Sequence, residues 1–196
     1  MDALREQLEA AARDGVLVSV ERDDFEDAED LGFVAGVGDA LFALERVSES
    51  IRLDGLSILR LDDVTDLEDP HEHADFVTTA LRLRGETRRD GLALDLADWS
   101  SALRSILAVT AVDDPPIVAL HEEGDAEAPC RIGVVTSVGA ESIRLVEIDP
   151  DADWSDEATD VGLAALTRVD FGGAYEEALR LVGGACPVGG GESVRS

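Results

Sequence analysis

The fold is decided by a sixteen-residue stretch that reads Gly32-Phe-Val-Ala-Gly-Val-Gly-Asp-Ala-Leu-Phe-Ala-Leu-Glu-Arg-Val47. It consists of two apolar runs joined by Gly38-Asp39, a pattern typical of a β-hairpin. A similar pattern occupies residues 133–148, and it repeats the glycines: Gly32 and Gly133 are 101 residues apart, as are Gly38 and Gly139. The sequence therefore predicts two similar units in tandem.

The residues around each hairpin complete the same series of elements. In the first unit, hydrophobic periodicity predicts a helix over 2–13, strands over 16–20, 56–61 and 64–67, and a helix over 73–83. In the second unit, Asp98 caps a leading helix, a strand covers 117–120, and residues 163–170 and 177–183 align with 61–68 and 79–85. We expect a first domain at 1–85, a linker at 86–96, a second domain at 97–184 and a flexible tail at 185–196.

The chain is strongly acidic, with a net charge of −28 from 44 acidic and 16 basic residues over 196 positions. Two interpretations stay open: a salt-rich cytoplasm, as in a halophilic organism, or a protein that binds a basic partner or mimics a nucleic acid. Nucleic-acid binding at low salt is not expected, because it needs clustered basic side chains. With 45% apolar residues, the chain has enough material for a core.

Residues 58–64, Ile-Leu-Arg-Leu-Asp-Asp-Val, resemble the second motif of the Sm-like family, the SH3-type rolls that include the LSm and Hfq proteins. Leu61 stands where that motif usually has glycine, and the second unit lacks the motif's charges. The resemblance implies a mainly β fold with flanking helices (α+β): two tandem Sm-like, five-stranded barrels, each with a leading and a trailing helix. It also implies that edge strands can pair between subunits.

Candidate binding residues come from the two loops that carry the RNA site in Sm-like proteins. The matched positions are Gly38, Asp39, Arg60, Asp62 and Asp63, and Arg60 is the one cation among them. Trp154 is added as an aromatic that anchors a surface contact or plugs a loop.

Two acidic or histidine-bearing segments raise the question of metal binding. Residues 149–160 place acids like a calcium loop, but Trp154 takes the place of the glycine at its sharp turn, so an acidic loop is the simpler interpretation. His71 and His73 lie two residues apart with no further ligand nearby other than acids, which favours solvated residues at a helix start. We expect no metal and no cofactor.

No catalytic constellation is present, so a non-enzymatic function is expected. The sequence predicts a cytoplasmic interaction or adaptor module, of inhibitor or immunity type, that binds a basic protein or associates with itself through edge strands. The alternative is a nucleic-acid-associated Sm-like protein of a halophilic organism. No apolar run long enough to span a membrane and no signal sequence are expected. Cys130 is expected to pack as a small apolar residue, and Cys186 to lie exposed in the tail.

Overall fold

The structure is a computed structural model that describes residues 2–23, 25, 29–89, 93–109, 115–124, 128 and 130–187. In the first half, helix α1 (Asp2–Asp14) precedes strands β1 (Leu17–Glu21), β2 (Glu29–Val37), β3 (Leu41–Val47), β4 (Leu53–Arg60) and β5 (Asp66–Glu68), and helix α2 (Ala74–Leu83) follows them. In the second half, α3 (Trp99–Val109) precedes β6 (Ile117–His121), β7 (Arg131–Val138), β8 (Ser142–Ile148), β9 (Trp154–Gly162) and β10 (Arg168–Phe171), and α4 (Ala174–Gly183) follows them. The fold is therefore mainly β with four helices among the described residues, as predicted.

The ten strands form one open antiparallel sheet, in the order β5-β1-β2-β3-β4-β10-β6-β7-β8-β9. The prediction of two closed barrels is wrong. The physical reason is that the outer backbone groups of β4 pair with β10 of the other half instead of a strand of their own half. Leu59 lies opposite Arg168 and Leu56 opposite Phe171 in this pairing. We call the β4–β10 pairing the seam.

Each half of the sheet nevertheless has the same strand order, since β5-β1-β2-β3-β4 corresponds to β10-β6-β7-β8-β9. Irregularities repeat as well: the first hairpin shifts register between Val34 and Gly36, and the second between Val135 and Ser137. The turns that follow β3 and β8 both hold a non-glycine residue at positive φ, Ile51 at 55° and Ala152 at 64°. The two halves thus share details of backbone geometry that their side chains do not dictate.

The largest cluster of buried apolar residues crosses the seam. It joins Leu56 and Ile58 of β4 to Val169 of β10, and helix α3 packs on it through Leu103 and Ile106. A second cluster lies between α1 and the first half of the sheet. Leu96, in the segment where the sequence predicts a linker, is 4% exposed, and its carbonyl accepts a hydrogen bond from the backbone N–H of Leu41.

Two acidic segments contribute residues to the interior or to the sheet. In the acidic run at residues 21–30, Arg22 and Asp30 are buried, because each finds an opposite charge inside the protein. Residues 154–160, predicted as the end of an acidic loop, belong to strand β9. The edge position of β9 explains the error: its side chains are largely solvated, so no apolar alternation marks the strand.

Candidate functional site

The structure brings the predicted loop residues together at one end of the first half. Gly38 and Asp39 form the turn between β2 and β3, and the backbone N–H of Leu61 donates to the carbonyl of Ala40, which places the loop after β4 beside that turn. At Gly38 a side chain would collide with the chain, since its Cβ would lie 2.3 Å from the Leu96 carbonyl oxygen. The predicted loops are therefore neighbours, and this turn needs glycine.

Two of the four charged residues at this end, Arg60 and Asp39, are engaged within the protein. Arg60 donates to the carbonyl of Ala164 in the other half at 2.7 Å, and Asp39 accepts from Arg5 at 3.2 Å. Asp62 is exposed, whereas the Oδ2 atom of Asp63 is buried without a hydrogen-bond partner, and burial raises the pKa of that carboxyl. The one predicted cation is thus occupied with an intramolecular contact, which lowers its availability to a phosphate.

Trp154 has a structural explanation. It begins β9, is half-buried, and packs against the apolar cluster under α4. Its indole N–H donates to the carbonyl of Gly183 at 2.9 Å, which ties β9 to the end of that helix. The residue thus joins strand β9 to the end of helix α4.

The two candidate metal segments have no ligand geometry among the described residues. The carboxylate of Asp149 accepts the backbone N–H groups of Asp151 and Asp153 at 2.9 and 3.0 Å, which is a turn, and β9 starts directly after it. His71 and His73 contact each other edge to face with ring centroids 5.6 Å apart. Within the parts of the chain that the structure describes, no three His, Cys, Asp or Glu side chains are grouped to hold a metal ion.

Sequence reasoning missed a polar cluster at the seam, centred on Asp170 of β10. Its carboxylate accepts from the Ser57 hydroxyl at 2.6 Å and from Arg168 at 2.8 Å. Arg46 approaches it at 3.4 Å and His121 at 3.1 Å. These partners come from both halves, so the cluster joins β3 and β4 to β6 and β10 by charge as well as by backbone pairing.

A second group of ions continues the cluster along the seam. Arg22, whose side chain is 0% exposed, lies 2.7 Å from Glu123 of the other half and 3.2 Å from Asp30. Arg168 also reaches Asp30, at 3.1 Å. Because the sequence separations are 101 residues for the Arg22–Glu123 pair and 138 for the Arg168–Asp30 pair, no local pattern could have revealed either pair.

The cluster shifts the protonation of its members. Burial alone would raise the pKa of Asp170, but the hydrogen bond from His121 and the charge of Arg168 outweigh it and hold the pKa well below its usual range. Burial alone would lower the pKa of His121, but its contacts with Asp170 and Cys130 raise the pKa to about 9. His121 is therefore a cation at neutral pH, and Asp170 is its counter-ion.

Beside this cluster lies an open cavity of about 400 Å³, lined among others by Arg46, His121, Cys130 and Asp170. Cys130 is exposed, contrary to its prediction as a packed residue, and its Sγ lies 3.8 Å from His121 Nε2. Asp170 approaches the same nitrogen, so one ring atom serves both neighbours and no cysteine–histidine–carboxylate relay is formed. Cys186 is partly buried and packs against the cluster under α4, which corrects its prediction as an exposed thiol.

Comparisons with protein families, with curated proteins and with solved structures found no match to this chain. Among its described helices, none has the length and apolar character needed to cross a membrane. The candidate site is therefore defined by the geometry of the chain alone.

Proposed function

We propose that the protein is a non-enzymatic, cytoplasmic interaction module that binds a basic protein partner through its acidic surface, as an inhibitor, immunity protein or adaptor does. The observation that carries this proposal is the placement of the arginines. Arg22, Arg46 and Arg168 have side chains at most 20% exposed and are paired at the seam. Their partners, the carboxylates of Asp30, Asp170 and Glu123, are withdrawn with them, so the cluster is close to neutral. The rest of the chain keeps a net charge near −28, with three fewer arginines on the surface to interrupt its acidic residues.

We further propose that the two halves derive from one Sm-like unit. The repeated strand order and the hairpins that shift register 101 residues apart support a duplication. The seam supports an Sm-like origin, because it is an edge-strand pairing of the kind that joins Sm-like subunits, here made within one chain. This second proposal concerns the origin of the fold. The proposed function depends on the acidic surface and not on that origin.

Binding of synthetic probes to the full chain separates the two candidate functions. We expect a ten-residue peptide of alternating arginine and valine to bind saturably, one per chain, in 0.15 M KCl, and more weakly as salt rises. A ten-residue oligouridine should show no binding under the same conditions. Tighter binding of the RNA than of the peptide, or no binding of the peptide, would overturn the proposal.

Circular dichroism tests the competing explanation of the acidity. A chain that is acidic for partner binding should be folded at 0.15 M KCl as fully as at 2 M KCl. Folding that requires molar salt would favour salt adaptation and would count against the binding surface.

A further inference from the structure

Strand β9 forms one edge of the sheet, and among the described residues it pairs with β8 alone. Its beginning is irregular: Trp154 lies opposite Ile148 and Ala158 opposite Val146, so residues 155–157 bulge out of register. Residues 158–162 then pair regularly with β8. This regular segment presents one row of backbone donors and acceptors that no strand pairs with. The Ala158 carbonyl accepts a long, exposed hydrogen bond from the Arg144 side chain at 3.4 Å, which an added strand would replace.

The seam shows what a strand needs in order to pair at such an edge. Ile58 of β4 lies opposite Ala43, and Asp160 of β9 lies opposite Arg144, which is 101 residues after Ala43. Residues 158–161 of β9 thus correspond to residues 56–59 of β4. At the seam those four residues of β4 accept a strand of only four residues, β10. The regular part of β9 is therefore long enough to hold an added strand.

Strands β4 and β9 differ in the side chain that lies at the middle of the pairing segment. Ile58 is 0% exposed and lies in the core across the seam, whereas its counterpart Asp160 is 77% exposed. Asp160 contacts Arg144 at 4.0 Å, but both side chains are exposed and such pairs are weak. An apolar residue opposite Asp160 would leave a carboxylate against a hydrocarbon side chain, whereas a cation there would be stabilised.

A second copy of the chain does not meet this requirement. Its free edge is β5, Asp66-Leu67-Glu68, which corresponds to β10 in the repeated strand order. Pairing β5 with β9 as β10 pairs with β4 would set Leu67 opposite Asp160, so the carboxylate would lie against a hydrocarbon side chain. Asp66 and Glu68 would lie on the other face of the sheet, opposite Val161 and Thr159. Two chains that each carry a net charge of −28 would also repel each other.

We propose that residues 158–162 of β9 bind an extended, basic segment of a partner protein as an added antiparallel strand, with a cationic side chain opposite Asp160. Main-chain hydrogen bonds supply the attachment, and the charge of Asp160 selects the partner. This inference rests on the proposed function and gives it a location on the surface.

The experiment uses the full chain and the arginine–valine peptide in two forms. The second form carries N-methyl groups on alternate amides, which keeps its charge and removes its ability to pair as a strand. We expect the unmodified peptide to bind and the methylated one to bind at least about ten-fold more weakly. Amide hydrogen exchange should slow in β9 when the unmodified peptide binds.

Two charge reversals locate the site. Asp160→Arg should weaken binding of the unmodified peptide by about ten-fold or more, because it removes the selecting charge and adds repulsion. Glu9→Arg, on the exposed face of α1, changes the net charge equally and should alter binding less than about two-fold. Circular dichroism of both variants confirms that each is folded.

The outcomes distinguish this inference from the proposed function. Equal binding of both peptide forms, or equal weakening by both substitutions, would leave an acidic binding surface in place and overturn the β9 site. Failure of every basic peptide to bind would overturn both proposals. Self-association of the free chain with slowed exchange in β9 would show that a second copy occupies the edge, and would also overturn the inference.

Discussion

Asp170 is the residue on which the largest number of seam contacts converge. Its carboxylate is 5% exposed and contacts Ser57, Arg46, His121 and Arg168. A buried carboxylate is tolerated only because these donors replace the water that it loses. Removing its charge would leave His121 without its counter-ion and three cations close together, of which Arg168 keeps its pair with Asp30 and Arg46 a longer one with Asp54.

Asp170→Asn should lower the free energy of unfolding at pH 7 by about 3–5 kcal/mol, because it breaks a buried ionic cluster. Urea denaturation followed by circular dichroism measures the change. Asp39→Asn is the matched control: the Asp39 side chain is 84% exposed and pairs with Arg5, so removing its charge should cost less than about 0.5 kcal/mol. Similar effects of the two substitutions would contradict the central role of Asp170.

His121 should make stability depend on pH above neutrality. The pKa of His121 is about 9 in the folded protein and 6.5 when unperturbed, so the folded state holds its proton more tightly. The resulting stabilisation is fully present below pH 6.5 and is lost as pH rises through 9. The stability of wild type relative to His121→Gln should fall by up to about 3 kcal/mol over that interval.

Denaturation with urea at a series of pH values measures this difference. Cys130→Ser serves as the control, because it removes the thiol beside the imidazole and keeps the contact between His121 and Asp170. A constant difference between wild type and His121→Gln from pH 6 to 9.5 would show that the imidazole does not gain its charge from the seam.

At the scale of elements, each hairpin depends on a glycine where its two strands approach closely. A Cβ on Gly32 would lie 2.4 Å from the carbonyl oxygen of Glu45, and one on Gly133 would lie 2.1 Å from that of Val146. Both contacts are with backbone of the partner strand, which cannot move aside without disturbing the ladder. The glycines from which the duplication was inferred are therefore required by strand packing.

Gly133→Ala should destabilise the protein by about 1–3 kcal/mol or more, because the added methyl group forces the hairpin apart. Gly162→Ala is the matched control in the same half: no atom lies within 4 Å of its added Cβ, and its φ is not in the left-handed region. Thermal unfolding of both variants measures the difference. An equal change in melting temperature would show that the close approach at Gly133 is not limiting.

Most elements could be predicted from the sequence because their apolar periodicity is strong. The hairpins, the leading and trailing helices and the Asp98 cap all occur, and Asp98 accepts the backbone N–H of Ser101 at 2.8 Å. Strand β9 and the burial of Arg22 were missed for a common reason. Both lie in acidic runs, and a charge run looks the same in sequence whether it is solvated, paired inside the protein or part of an edge strand.

At the scale of the whole molecule, the seam makes the two halves one structure. The sheet is continuous through β4 and β10, and one apolar cluster contains residues from both sides. Hydrophobic patterning identifies which residues of β4 are buried, but it does not say which strand covers them. A local sequence pattern does not show which distant strand pairs with an edge strand. For this reason the sequence predicted two separate barrels.

We expect the protein to unfold in a single transition, because the two halves share a core across the seam. Amide exchange at increasing urea measures this: the amides of β2 and β3 should lose protection at the same concentration as those of β7 and β8. The first hairpin losing protection in a separate, earlier step would show that the seam does not couple the halves.

The position of β10 as the last strand has a consequence during synthesis. The outer side of β4 pairs with residues 168–171. It therefore stays unpaired until more than a hundred further residues have been synthesised. During that interval the apolar edge strand β4 of the nascent first half is exposed to solvent. Chaperones recognise such surfaces, and proteins that expose them aggregate at high concentration. Residues 168–171 must therefore be synthesised before the first half can reach its final state.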